Sequence, residues 1–333
     1  MGTLATVHDG AKRILFVRAG ALGDFILTLP TLTALRQCLP EAHLEILGYP
    51  SIAELALRSG LADSLSRVDD VHLAPLFAEE TRLPDALTTW LRRFDVAVVV
   101  WRAAETLAIR MESSGIKHAI TIEPAPPEGE RIYAAEFMLR QLPRHLRGIA
   151  TPIPRLHLPA TDPAWAADYL RRVHGLSPEL TLVVHPGSGG RGPNRNWPPE
   201  RFAALVHRAP EELGLSPLLL CGPADEEFAA EVRRRVAVPV AQGLTVVQLA
   251  GLLCACRACV SNDSGVAHLA AALGTATVVI FGATDAAIWA PRGAHVRTLQ
   301  GAPPRYAEIA RVAVADVLTA LRDLTSPPRR PRA

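Results

Sequence analysis

Short apolar runs, each closed by a turn and followed by a helix-length segment, recur along this chain and decide its architecture. Arg13-Ile14-Leu15-Phe16-Val17 is followed at once by the glycine-bearing turn Gly20 to Gly23, and then by Ile26, Leu29, Leu32 and Leu35 at three-residue steps until Pro40. The first run suits a strand buried on both faces, and the three-residue spacing suits a helix over 25–39. Leu44 to Leu47, the β-branched run Asp95 to Val100, and Ala119 to Ile122 read as further strands. Prolines at 152, 154, 159 and 163 interrupt the pattern, since proline at that density suits neither a helix interior nor a central strand. The rhythm then restarts: a helix over 164–174, strands at 180–184, 217–221, 238–240, 258–260 and 277–281, and helices over 225–235, 246–254 and 266–273. Alternation of this kind predicts an α/β fold with two Rossmann-like parallel-sheet domains. The expected division is 1–155, 156–304, an amphipathic helix at 305–325 that packs back on the first domain, and a disordered tail at 326–333.

A length of 333 residues, 49% of them hydrophobic and 20% charged, accommodates two cores. The formal net charge of +2 provides no field that would argue for nucleic acid. No apolar run reaches the length needed to span a bilayer, and residues 1–12 lack the apolar stretch of a secretory signal. A cytoplasmic protein is expected, with at most peripheral membrane contact through the arginine-bearing tail. Cys254, Cys256 and Cys259 cluster, but no nearby His or fourth Cys completes a tetrahedral shell. The cysteines therefore read as core residues, and no metal or other cofactor is expected.

Ligands of open parallel sheets bind beyond the carboxyl ends of strands, so the turns after the strands carry the chemistry. The first is Gly20-Ala21-Leu22-Gly23-Asp24, where Asp24 reads equally as a functional carboxylate or as a helix N-cap. Its spacing is not the dinucleotide fingerprint, and Gly48-Tyr49 after the second strand offers no acidic ribose ligand, which disfavours a nicotinamide dehydrogenase. The second turn runs from His185-Pro186-Gly187-Ser188-Gly189 to Arg195-Asn196-Trp197-Pro198; its amides, hydroxyl and arginines suit a diphosphate, although it lacks a P-loop ending. The third, Ser261-Asn262-Asp263-Ser264-Gly265 leading to His268, opens a helix whose dipole favours an anion. Asp263 suits a sugar hydroxyl, and His268 alone reads as a structural histidine. A fourth turn at Phe281-Gly282, with Thr284, Trp289 and Pro291, completes the set.

In combination these residues resemble the lipopolysaccharide heptosyltransferases, family 9 of the glycosyltransferases. Arg18 to Asp24 with Pro30 matches the opening motif, His185 to Ser188 with Trp197-Pro198 the donor loop, and Asn262 to Gly265 with His268 the donor-domain signature. Arg195 stands where the family usually carries lysine, which keeps the charge and changes its geometry. The resemblance implies a GT-B fold, with an acceptor-binding first domain and a nucleotide-sugar-binding second domain facing across a cleft. It implies inverting, metal-independent transfer of heptose from ADP-L-glycero-D-manno-heptose to the inner core of lipopolysaccharide, an anionic glycolipid, with Asp24 as general base. Ser188, Gly189, Arg195, Asp263, Ser264, Gly265 and His268 would hold the donor, and Gly20, Ala21 and Gly23 would line the acceptor side. Arg58, Arg102, Arg110, Arg131 and Arg140 are available to an anionic acceptor, though each also reads as an ordinary surface arginine. Two alternatives are a relative using another nucleotide sugar or a protein or small-molecule acceptor, and a nucleotide-sugar-binding protein without turnover.

Overall fold

The computed structural model describes residues 12–78, 82–189, 195–301 and 308–326. The chain divides into two compact units, Met1–His157 and Leu158–Ala333.

In the first unit the elements run β1 (Arg13–Val17), α1 (Leu22–Cys38), β2 (His43–Gly48), α2 (Pro50–Arg58), β3 (Ser64–Arg67), α3 (Ala74–Phe77), α4 (Asp85–Leu91), β4 (Val96–Val100), α5 (Glu105–Ser113), β5 (His118–Ile122) and α6 (Ala134–Gln141). All strands are parallel, in the order β3-β2-β1-β4-β5, so β1 and β4 meet where the strand order reverses. Because side chains alternate along a strand, Leu15, Val17, Ala97 and Val99 enter a core with Leu87, Leu91 and Met111, while Ile14 and Phe16 are buried on the other face. Helices on both faces explain why β1 and β4 read as unbroken apolar runs.

The second unit opens with α7 (Thr161–Tyr169), continued by a π-helical turn at Leu170–His174 that ends on left-handed Gly175. Then follow β6 (Thr181–His185), α8 (Pro199–Leu213), β7 (Ser216–Cys221), α9 (Glu226–Arg233), β8 (Val240–Gln242), α10 (Val246–Ala255), β9 (Ala258–Asn262), α11 (Gly265–Ala272), β10 (Ala276–Phe281), α12 (Ala286–Trp289), β11 (Val296–Gln300) and α13 (Val314–Thr325). The sheet is again fully parallel, β11-β10-β9-β6-β7-β8, with the order reversing between β6 and β9. One of its cores joins Leu182, Val184, Val260 and Ile280 to Trp197, Phe202 and Val206.

Helix α13 corrects one expectation. It was expected to pack back on the first domain, but Val317, Leu318 and Leu321 lie in the core of the second unit, and the backbone just before it accepts the Trp197 indole N–H at Val312 O, 2.9 Å away. A buried apolar stripe and a satisfied indole donor hold the helix there. Residues 302–307, where the helix was expected to begin, lie outside the described residues, as does the expected tail beyond Ser326. Of the clustered cysteines expected in the core, Cys256 and Cys259 are buried there while Cys254 on α10 is exposed, and burial pushes the Cys256 thiol up to about 12.

Candidate active site

In each unit the residues singled out by the sequence gather at the point of strand reversal. In the first unit, Arg18 leaves β1 and donates from Nη1 to Val100 O at the end of β4, 3.3 Å away, which bridges the reversal point. Its Nη2 stands 3.8 Å from Asp24 Oδ1. Arg18 is buried, which lowers its affinity for the proton, while the Asp24 carboxylate pulls the other way. The backbone must come close for this: a Cβ on Gly48 would lie 2.7 Å from Arg18 O.

Asp24 does not cap α1. The N-cap is Ala21, which makes no side-chain cap bond, and Asp24 sits in the first turn with a side chain 48% exposed. An acid there is favoured by the helix dipole but satisfies no backbone donor by capping. The carboxylate is therefore held from one side by Arg18 and open on the other. Gly20 lies beside the pair, its position 3.4 Å from Asp24 Cβ were it to carry a Cβ, while Gly23 is the second residue of α1.

In the second unit a buried polar network ties three strand-end turns together. His185, last residue of β6, meets Asp225 Oδ2 through Nε2 at 3.0 Å and Ser261 Oγ through Nδ1 at 3.0 Å. Ser261 Oγ is 2.8 Å from Ser264 Oγ, and Ser264 is the N-cap of α11, accepting from the Ala267 amide. Burial alone would raise the Asp225 carboxyl, but the hydrogen bond and charge of His185, with the amides of Gly189 and Gly222, hold it below the ordinary carboxylate range. Gly187 must be glycine, since a Cβ there would fall 1.8 Å from Asp225 Oδ1.

A second tie runs through Asn262. Its Nδ2 donates to Pro186 O at 2.6 Å and its Oδ1 accepts the Trp197 amide at 3.0 Å, so both ends of the 186–197 loop are pinned to the end of β9. Trp197 itself is a core anchor, fully buried and edge-on to Phe202. Asp263 Oδ2 accepts from Thr284 Oγ1 at 2.5 Å, joining the third turn to the fourth.

Beside this network opens a pocket of roughly 940 Å³, lined by Ser188, Gly189 and Asn196, by the turn Pro223 to Asp225, and by Glu226, Glu227, Phe228 and Glu231 of α9 with Arg234 at its end. Of the predicted donor residues, Ser188 and Gly189 line it. Ser264 and Gly265 begin α11 at the far end of the same hydrogen-bond chain, and His268 is buried one turn into that helix. Arg195 is half-buried and forms no ion pair among the described residues. The spare arginines of the first unit are partly spent: Arg58 pairs with Glu54, Arg140 with Glu136, and Arg110 donates to Ala78 O.

Asp225 was not singled out from sequence, and His185 and Ser261 were noted only as parts of their turns. Partners 40 and 76 residues apart leave no local pattern. The signal that was available is the glycine at 187, whose missing side chain makes room for Asp225.

A family model described as glycosyltransferase family 9 (heptosyltransferase) matches residues 148–315. Lipopolysaccharide heptosyltransferase 1 of Escherichia coli K12 is 23% identical over 289 residues, covering 82% of this chain and 88% of its own. The Pseudomonas aeruginosa enzyme of that name is 27% identical over 310 residues, covering 82% of this chain and 79% of its own. Among solved structures, a family 9 glycosyl transferase from Veillonella parvula is similar with a TM-score of 0.75 at 21% identity, covering 94% of this chain and 97% of that one. Escherichia coli ADP-heptose lipopolysaccharide heptosyltransferase II gives 0.75 at 19% identity, covering 94% and 98%. An E. coli heptosyltransferase solved with ADP gives 0.65 at 18%, covering 94% and 99%. These likenesses give the two parallel-sheet units the GT-B fold class.

Proposed function

We propose, because the chain belongs to glycosyltransferase family 9 (heptosyltransferase), that it transfers L-glycero-D-manno-heptose with inversion from its ADP conjugate to an inner-core saccharide of lipopolysaccharide, Asp24 acting as base. The observation that carries the reading is the Asp24 carboxylate: released from capping, half exposed, and fixed by a buried arginine. In one displacement, the acceptor hydroxyl gives its proton to Asp24 as its oxygen forms the bond to the anomeric carbon. The bond from that carbon to the diphosphate oxygen breaks, and ADP leaves with the electron pair.

Charge growing on the departing diphosphate needs donors that are already in place. Ser188, the Gly189 region of the loop, Arg195 and the start of α11 at Ser264 and Gly265 are the groups proposed for this task, Arg195 by a charge-assisted bond and the helix start through its free amides. Asp263 would take a sugar hydroxyl, and His268 would support the helix start. The His185 network keeps these turns in fixed relation, so little reorganisation is required as the bond breaks. This donor set supplies the positive potential that a divalent cation would otherwise supply, and full turnover in excess EDTA is the expected result.

The test is a transfer assay with mass detection, crossing ADP-heptose and UDP- and GDP-linked sugars with a panel of acceptors. Transfer from ADP-heptose to an inner-core acceptor supports the reading. Transfer from another nucleotide sugar alone would move the protein to a different donor, and no turnover with any would leave only binding. Asp24→Ala should cut kcat by about 10² to 10⁴ with ADP affinity unchanged. Retained turnover in a folded variant removes Asp24 as the base.

A further inference from the structure

Four buried side chains of the second unit, Asp225, His185, Ser261 and Ser264, form one hydrogen-bonded relay. Asp225 Oδ2 lies 3.0 Å from His185 Nε2, Nδ1 lies 3.0 Å from Ser261 Oγ, and the two serine oxygens are 2.8 Å apart. At the far end Ser264 is the N-cap of α11, where its Oγ also accepts the Ala267 amide at 3.4 Å. The hydroxyl thus sits over the first turn of that helix, among the free amides proposed to meet the departing diphosphate. Holding the turns together does not call for groups with movable protons, since Asn262 ties the same loop with a fixed amide.

The balance of donors and acceptors decides which way the protons point. Burial would raise the Asp225 carboxyl, but the bond and charge of His185, with the Gly189 and Gly222 amides, hold it below the ordinary range, so it is an acceptor only. His185 Nε2 therefore carries a proton, and in a neutral imidazole Nδ1 is then an acceptor. The contact from Nδ1 to Ser261 and the contact from Ser261 to Ser264 each use one proton, and the two hydroxyls supply both. The direct 3.4 Å contact between Ser264 Oγ and Nδ1 can change their order but leaves none over. Ser264 then shows a ligand only a lone pair, which opposes a phosphate oxygen. With Nδ1 protonated as well, Nδ1 donates to Ser261 and Ser261 to Ser264. The Ser264 hydroxyl proton is released to point outward while every heavy atom stays in place.

We infer that His185 is a positioning residue for the leaving group: binding of the donor diphosphate is coupled to uptake of one proton from water at His185 Nδ1, which reverses the relay and turns the Ser264 hydroxyl toward a diphosphate oxygen. The inference rests on the reading of the α11 start as part of the donor site. Histidine suits the task because imidazole is the side chain with both charge states within reach near neutral pH. On the elements that meet at His185, Cys221 at the end of β7 is a thiol that burial pushes up, Glu226 opens α9, and Asp263 and His268 stand on the turn after β9 and in α11. Among the described residues Asp225 is the carboxylate bonded to the ring, so an imidazolium there is a paired charge and not an isolated buried one.

Titration calorimetry of the full chain with ADP, in buffers of differing ionisation enthalpy, counts the protons taken up on binding. At about pH 7.5 the terminal phosphate of ADP, with a second pKa of about 6, is already ionised, so uptake reports the protein. The parent should take up a fraction of a proton, up to one, for each ADP, and its Kd should rise by up to about tenfold per pH unit above neutrality. His185→Gln and Ser264→Gly should each bind ADP about tenfold more weakly, the factor of one lost charge-assisted bond, and should lose the uptake and the slope. Ser264→Gly keeps the bond between His185 and Asp225 and places a tolerated residue at the N-cap, so it carries the test if His185→Gln does not fold. Imidazole nitrogen-15 NMR of the parent, with the His185 signals assigned by their loss in His185→Gln, should pass from the neutral Nε2–H form to imidazolium when ADP or pyrophosphate is added. A ring that is charged before ADP is added, a ring that stays neutral in the complex, or uptake unchanged in Ser264→Gly would each overturn the relay and leave the donor site standing. No binding of ADP or pyrophosphate by the parent would overturn the donor reading, and the relay with it.

Discussion

Replacing Asp225 should loosen the donor-side turns before it affects anything else. The carboxylate is 9% exposed, accepts from His185 Nε2 at 3.0 Å, and takes the amides of Gly189 and Gly222. Asp225→Ala removes one partner of a buried pair and leaves the imidazole and those amides without it, a change that costs about 3 to 5 kcal/mol. Against a typical total of about 5 to 15 kcal/mol that is a large share. Asp225→Asn keeps the shape and one oxygen but loses the charge-assisted part of the bond, about 1 to 2 kcal/mol. Native-state hydrogen exchange resolved by peptide separates the units, which a single melting temperature does not. In Asp225→Ala, exchange of amides in β6, β9 and the start of α11 should accelerate by more than about a hundredfold, with β1 and β4 of the first unit unchanged. Asp225→Asn should fall between. Equal protection of β6 and β9 in parent and Asp225→Ala would refute the claim that His185 and Asp225 hold the turns together.

Arg195→Ala should weaken ADP binding by about 1.5 to 3 kcal/mol, roughly ten- to 150-fold in Kd by titration calorimetry; an unchanged Kd removes Arg195 from the site. Ala103, just beyond β4, has φ of 51° and donates its amide to Glu123 Oε1 at 2.8 Å. Glycine has no Cβ penalty in that conformation, so Ala103→Gly should leave the unfolding free energy from urea titration unchanged or raise it by up to about 1 kcal/mol, whereas a clear loss would refute strain at this turn. Burial favours protonation of Asp63 and of Asp95, but it is outweighed by the Leu44 amide and Arg36 at Asp63, and by Lys117 and the amides of Lys12 and Arg13 at Asp95. Both folded values thus lie below the unfolded carboxylate value of about 3.9, so their stabilisation is complete above that pH and is lost as pH falls through the folded values. Asp63→Asn with Asp95→Asn should flatten the acid limb of unfolding of the first unit below about pH 4; an unchanged limb would assign acid lability elsewhere.

What was legible in the sequence followed from burial on two faces. β1 was read with its observed ends, and β4 to within one residue, because a covered parallel strand is apolar along nearly its whole length. The short edge strands β3 and β11 escaped notice: Ser64-Leu65-Ser66-Arg67 and Val296-Arg297-Thr298-Leu299-Gln300 pair on one side only and carry polar residues. Helix α8 was hidden by Pro198, Pro199 and Pro210. Prolines at its start fit the first turn, where no amide partner is needed, and Pro210 lies well inside. Trp197 illustrates the limit for sites. Its motif marked the donor loop, but its work is to fill the core and tie the Val312 backbone, a role visible only once residues 115 apart are placed together.

The two units use one device with different chemistry, and this bears on which contacts matter most. At a reversal of strand order, neighbouring connections leave toward opposite faces and open a crevice, so a side chain that crosses it fixes the geometry of whatever binds there. In the first unit the crossing is made by Arg18, from the end of β1 to Val100 O, and the same guanidinium stands beside Asp24. In the second it is made by His185, whose register partner on β9 is Ser261 and whose other nitrogen reaches Asp225. One crossing is cationic and holds a carboxylate in the open; the other holds a buried carboxylate, Asp225, against the pocket that Ser188 and Gly189 also line. A proposed base and a proposed anion cradle therefore arise from the same fold position because charge is exposed at one crossing and buried at the other. Lysine at position 18 would carry the charge but not the planar fork that lets one group serve both Val100 O and Asp24.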